Sequence, residues 1–193
     1  MELNTKYNET ESSGVLKELS FGIRQQDMHV VFDMLRNRMY KNPIAANSRD
    51  ANREAGNGNL PIHIFFKQNS LTDMSDLSIC FQDNGPGISP ERMGDVFVNY
   101  GSSTKRGDNN LTGGFGLGAK TPFSYTDTFH IETVVNGVKY SYSAFIDESG
   151  VGKIILLETN ESADKNGTTI IVPVQKQDRN AFEDNIYRAT FFC

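Results

Sequence analysis

The sequence predicts an α+β fold: a two-layer α/β sandwich with a mixed, mostly antiparallel sheet and its helices on one face. Three observations carry that expectation. Short runs with period-two apolar alternation follow one another without a strict strand–helix–strand rhythm. Asn136-Gly137, the strongest hairpin signal in the chain, joins two of these runs. Helical periodicity is confined to a few separate stretches between and around them.

In chain order, residues 1–14 show no apolar period and read as a flexible tail, leaving 15–193 as one domain. From Asp27, a candidate N-cap, Val30, Val31, Met34, Leu35 and Met39 fall at helical spacing. Pro43 interrupts or begins a helix rather than sitting inside one, and a second helical stretch over 44–55 ends at Gly56-Asn57-Gly58. Ile62, Ile64 and Phe66 alternate with polar neighbours, as do Leu77, Ile79 and Phe81, so both segments read as strands. Ser89-Pro90 is a helix start, Ser as N-cap and Pro at the first helical position, for a helix reaching about Tyr100. After a Gly-rich loop, strands are expected at 128–135, 138–147, 153–158 and 168–174, and a last helix at 178–188. There is no internal repeat or low-complexity tract.

Composition narrows the function. The chain has 193 residues, 37% of them hydrophobic and 22% charged, enough for a sizeable core. Nineteen Lys and Arg against 24 Asp and Glu give a net charge of −5, with a pI near 5.2. Counterion release needs a basic surface, so a dedicated nucleic-acid binder is not expected. No apolar run approaches the roughly 18–20 residues of a membrane span, and the polar, acidic N-terminus is no secretory signal. Two cysteines, Cys80 in an apolar strand and Cys193 at the end, make no disulfide framework; the expected compartment is a reducing cytoplasm.

Chemistry concentrates where glycine does: 11 of the 17 glycines lie between positions 56 and 118. Such clustering marks backbone in special conformations or pressed against a ligand. In Asp83-Asn84-Gly85-Pro86-Gly87, the period of two puts Asp83 at the end of the Leu77, Ile79, Phe81 row. A carboxylate there is partly buried and needs a donor, which the exocyclic amino group of a nucleobase supplies. Alone, the segment reads more simply as an Asp-initiated turn. The second cluster is Gly113-Gly114-Phe115-Gly116-Leu117-Gly118, followed by Ala119-Lys120. Its small residues allow successive N–H groups to form an anion nest, with Lys120 in reach of a phosphate; a flexible linker is the competing account. It matches neither the P-loop nor a well-placed dinucleotide fingerprint. Ser102, Ser103, Thr104, Lys105 and Arg106 add hydroxyls and cations ahead of it, and Phe123 and Tyr125 offer anchors after it.

With Asn47 and Asp50 on a helix, these pieces suggest a nucleotide site. The ordered set Asn47-x-x-Asp50-Ala51, Asp83-x-Gly85-x-Gly87, Gly113-x-x-Gly116-x-Gly118 and Gly167-Thr168 resembles the motifs of the GHKL ATPases. That superfamily includes gyrase B, the ninety-kilodalton heat-shock chaperone, histidine kinases and MutL. GGFGLGAKTPFSYTDTF and FDMLRNRMYKNPI further resemble the phage rIIA-type lysis-inhibition accessory proteins, and the likeness covers residues 21–174.

The resemblance implies a Bergerat fold holding MgATP. Asn47 would then coordinate Mg²⁺ through its side-chain oxygen, beside phosphate and water oxygens. Asp83 would accept from the adenine amino group, and Gly85 and Gly87 would let the base approach the backbone. Residues 101–118 would form a lid over the phosphates, with Thr104, Lys105, Gly113, Gly114, Phe115, Gly116, Leu117 and Gly118 at the nucleotide and Lys120 flanking it. Thr168 would hydrogen-bond near the adenine, and Asp50 would close the first motif in a mainly structural role. One position departs from the family pattern. The general-base Glu expected four residues before Asn47 is Pro43, which has no proton acceptor in its side chain. In the resembling phage proteins about two further helical turns, about 10 Å, separate Asn-Pro-Ile-Ala-Ala from Asn-Ser-Arg-Asp-Ala and carry an Arg-Glu pair. A loss near seven residues keeps the helical phase, so the fold survives it while the base does not. Glu54 lies two turns beyond Asn47 and is a poor substitute.

The expectation is therefore a cytoplasmic, phage-encoded domain that binds MgATP and hydrolyses it weakly or not at all, driving a conformational or partner switch. The partner would be another protein or a second copy, and any membrane association would be peripheral. A degenerate interaction module that retains the fold is the alternative; a histidine-kinase-like phosphotransferase would need a second long helix beside His29. His29, His63 and His130 stand apart from any metal-spaced cluster, and His63 and His130 should face solvent. Tyr140 and Tyr142 are expected to pack, and 158–164 to form a solvated acidic loop.

Overall fold

Period-two alternation sets the architecture. The chain's fold is that of a computed structural model, which describes residues 17–20, 43–68, 76–94, 118–148 and 152–190. The tail at 1–14, the helix expected from Asp27 and most of the Gly-rich segment lie outside these. Seven strands, β1 (Lys17–Ser20), β2 (His63–Gln68), β3 (Leu77–Gln82), β4 (Thr128–Val135), β5 (Val138–Ile146), β6 (Gly152–Glu161) and β7 (Gly167–Val174), form one sheet. Their order is β1-β6-β5-β4-β7-β3-β2, and each neighbouring pair is antiparallel. The parallel pairing that a mixed sheet would include does not occur among the described residues.

Register explains why this sheet has one dry face. Ile79 lies opposite Phe66 and Val172, Ile131 opposite Ile170 and Tyr142, and Ala144 opposite Ile154. Residues paired across strands share a face, so these side chains form one continuous apolar surface. The buried core consists of that surface together with Phe81, Met93, Phe123, Phe129, Leu156 and Val174.

The helices supply the second layer. Helix α1 (Pro43–Glu54) lays Ile44 against the core, α2 (Pro90–Met93) adds Met93, and α3 (Arg179–Thr190) adds Phe182 and Ile186. The 3-10 helix Gly118–Ser124 contributes Phe123, whose ring meets Phe129 edge-on at 4.9 Å. Every helical contribution reaches the same sheet face, so the α+β sandwich with helices on one face stands.

The local signals operate as their chemistry dictates. Helix α1 is described from Pro43, and whether Pro43 begins or interrupts it turns on residues 21–42, which lie outside the described residues. Ser89 caps α2 by accepting from the Arg92 amide at 3.3 Å. Asn136 takes φ 50° and Gly137 φ 82° in the two-residue turn between β4 and β5. Two expectations are corrected. Residues 158–161 are exposed, but they continue β6 rather than forming a loop, because Val138 to Ser141 extend the ladder alongside them as far as Glu161. The four-residue edge strand β1 was not foreseen; it is too short to show a period. The helix from Ser89-Pro90 is described only as Pro90–Met93, and its expected continuation from 95 to 100 lies outside the described residues.

Candidate functional site

The site begins where β3 ends. Asp83 follows the buried row Leu77, Ile79, Phe81 and is itself half-buried. Its backbone continues the ladder to β7, the Asp83 amide donating to the Thr168 carbonyl at 2.9 Å. Its Oδ1 accepts from two backbone amides, Gly85 at 3.0 Å and Thr168 at 2.9 Å. The first is an Asx turn, so the turn chemistry read from the sequence is present. The second joins Asp83 to a residue 85 positions away.

Packing accounts for the glycines of this turn. A Cβ at Gly85 would meet the Ala51 Cβ at 2.7 Å, so helix α1 lies directly against the turn. Gly87 has φ +77°, and a side chain there would run into the Val134 carbonyl and the Val135 side chain of β4. The chain thus needs no ligand to explain either residue.

Helix α1 brings the first motif to the same place. Asn47, Asp50 and Ala51 are related by three and four residues and share a helix face. Ala51 touches the Asp83–Gly85 turn, and Asn47, half-buried, lies one turn back along that face. Asp50 is fully buried, with Arg53 Nη1 3.4 Å from Oδ1. The 3-10 helix Gly118–Ser124, which contains Gly118 and Lys120, packs against α1.

On β7, Thr168 is 6% exposed, and its hydroxyl lies 3.2 Å from that of Thr133 on β4. Thr133 Oγ1 accepts from the Ile88 amide at 2.8 Å and lies 3.2 Å from the Gly167 carbonyl. When its single proton goes to that carbonyl, Thr168 donates to Thr133 and keeps its own lone pairs to accept.

The structure therefore gathers Asn47, Asp50, Asp83, Gly85, Gly87 and Thr168, with the 3-10 helix that contains Gly118 and Lys120 packed against helix α1. Thr104, Lys105, Gly113, Gly114, Phe115, Gly116 and Leu117 lie outside the described residues. Sequence reasoning missed Thr133, Asn52 and Asn57, which contact this turn or its supports. Only Thr133 left a signal, a polar residue on the inner face of a strand. Glu54 is no candidate base: Oε1 and Oε2 each lie 2.7 Å from an Arg92 guanidinium nitrogen, in a two-pronged pair. Among the described residues no three His, Cys, Asp or Glu side chains cluster as a metal site. Asn47 offers one neutral oxygen, a donor that fits Mg²⁺ only where phosphates and water complete the shell.

A family model described as histidine kinase-, DNA gyrase B-, and HSP90-like ATPase matches residues 41–178 of the chain. No curated protein matches it.

Proposed function

The chain belongs to the family of histidine kinase-, DNA gyrase B- and HSP90-like ATPases, and from that premise we propose that it binds ATP at the Asp83 turn and turns it over slowly or not at all. One observation carries the reading: Asp83 Oδ1 holds the amides of Gly85 and Thr168 together, joining two separated motifs into one half-buried acceptor site. Asp83 accepts from the adenine amino group, with the Thr168 hydroxyl beside it. Asn47 holds Mg²⁺, which neutralises phosphate charge when bound. Residues 101–118, with Thr104, Lys105 and the glycines 113–118, cover the phosphates, and Lys120 flanks them. Asp50 secures the helix that carries Asn47.

Turnover is limited by Pro43, which stands at the start of α1 where the family pattern has its general base. Loss of such a base lowers rate by about 10²–10⁴-fold and leaves binding intact. The motifs GGFGLGAKTPFSYTDTF and FDMLRNRMYKNPI favour a phage rIIA-type protein working in a host cytoplasm. Nucleotide occupancy there would switch a protein partner or a second copy. No helix among the described residues is long and apolar enough to cross a membrane.

Calorimetric titration with MgATP tests this reading, with Asp83→Asn as control. Saturable one-site heat that the substitution abolishes is expected. No heat at millimolar ATP would sink it and leave an interaction module on the same fold.

A further inference from the structure

We propose that Asn52 and Asn57 are positioning residues that set base selectivity by gripping the two peptide groups on either side of Asn84. The inference rests on the ATP-binding reading of Asp83. Asn52, on the last turn of α1, is 2% exposed. Its Oδ1 accepts from the Asn84 amide at 2.6 Å, and its Nδ2 donates to the Leu60 carbonyl at 2.9 Å. A backbone N–H on one side and a carbonyl on the other admit only this orientation of the side-chain amide. Asn57, just past the helix, donates its Nδ2 to the Asn84 carbonyl at 2.7 Å. Its own amide donates to the Asn52 carbonyl at 2.7 Å, so the two grips are linked. The Asn84 side chain adds a third tie, donating to the Pro61 carbonyl at 3.0 Å.

The geometry gives these bonds a role beyond stability. The 83–84 peptide carries the amide held by Asn52. The 84–85 peptide carries both the carbonyl held by Asn57 and the Gly85 N–H that donates to Asp83 Oδ1. Asn57 therefore orients the plane whose far end fixes the reading carboxylate. A misplacement of about 1 Å at such a group costs up to about 10²-fold in what it recognises. The clamp also joins the helix bearing Asn47 to the turn bearing Asp83, so the base end and the phosphate end of the site are held in one frame.

The test compares ATP with inosine triphosphate, which lacks the exocyclic amine, in calorimetric titrations of the full chain and of Asn57→Ala. The wild type is expected to prefer ATP. Asn57→Ala is expected to lower that preference about tenfold while inosine triphosphate binding changes less than about twofold. A purely structural role would weaken both nucleotides alike, and equal losses or an unchanged ratio overturn the clamp. Asn57→Ser, whose hydroxyl is too short to reach the Asn84 carbonyl, serves if the alanine variant does not fold. A wild type that binds neither nucleotide overturns the ATP reading and the clamp together; a selective wild type with an equally selective variant overturns the clamp alone.

Discussion

Thr133 shows how much of the site depends on one hydroxyl. It is fully buried on the core side of β4, accepts from the Ile88 amide and reaches both Gly167 and Thr168. Valine has nearly the same shape but leaves the Ile88 N–H without its acceptor, and an unmet buried donor costs about 1–3 kcal/mol. Thr133→Val should lower stability in urea by that amount, whereas Thr133→Ser, which retains the oxygen, should lose less. An unchanged stability in Thr133→Val would mean that the shape of the side chain, not its hydrogen bond, matters there. This residue also marks the limit of sequence reading. A polar side chain in an apolar row is visible, but its partner Ile88 is 45 residues away and only the folded chain brings the two together.

Elements were legible where burial imposes a period. The strands around Ile79, Ile131 and Ala144 fall within a residue or two of their expected limits, because a shift of one would turn every apolar side chain to the wrong face. Edges lack that constraint, which is why β1 and the exposed end of β6 were missed or misread. The seating of α3 was also invisible, since it depends on a side chain far upstream. Tyr125 donates to Asp178 Oδ2 at 2.6 Å, accepts from the Gln175 amide at 3.0 Å and sets its ring edge-on to Phe182 at 5.0 Å. Burial, then the Asp178 carboxylate, push its phenol up. Tyr125→Phe keeps the ring contact and removes both hydrogen bonds. Amide exchange across 179–190 should then quicken while β3 and β4 keep their protection. Uniform quickening across the molecule would show that this fastening holds more than the helix.

At the scale of the whole molecule, the order of the motifs was readable and their joining was not: the links from α1 to the Asp83 turn run through Asn52 and Asn57, residues without periodicity or motif to mark them. The sheet that carries this junction contains its own alkaline weakness. Tyr142 is 4% exposed in the core layer, and its hydroxyl has no hydrogen-bond partner among the described residues. Burial, with smaller effects from Tyr140 and Glu91, raises its pKa from 10.0 to about 12. A folded-state value above the unfolded one means that the unfolded chain gives up its proton first. Stability is therefore fully present below pH 10 and falls as pH rises toward 12, at up to about 1.4 kcal/mol per pH unit and about 3 kcal/mol in all. Cys80, whose thiol burial also pushes up from 9.0, begins its own share about one unit earlier. Tyr142→Phe removes both the ionisation and the unpaired hydroxyl. It should match or exceed wild-type stability at pH 8, and its advantage in urea midpoints should widen steadily between pH 10 and 12. An advantage that stays constant over that interval would place the phenol in contact with water and refute its burial in the sheet.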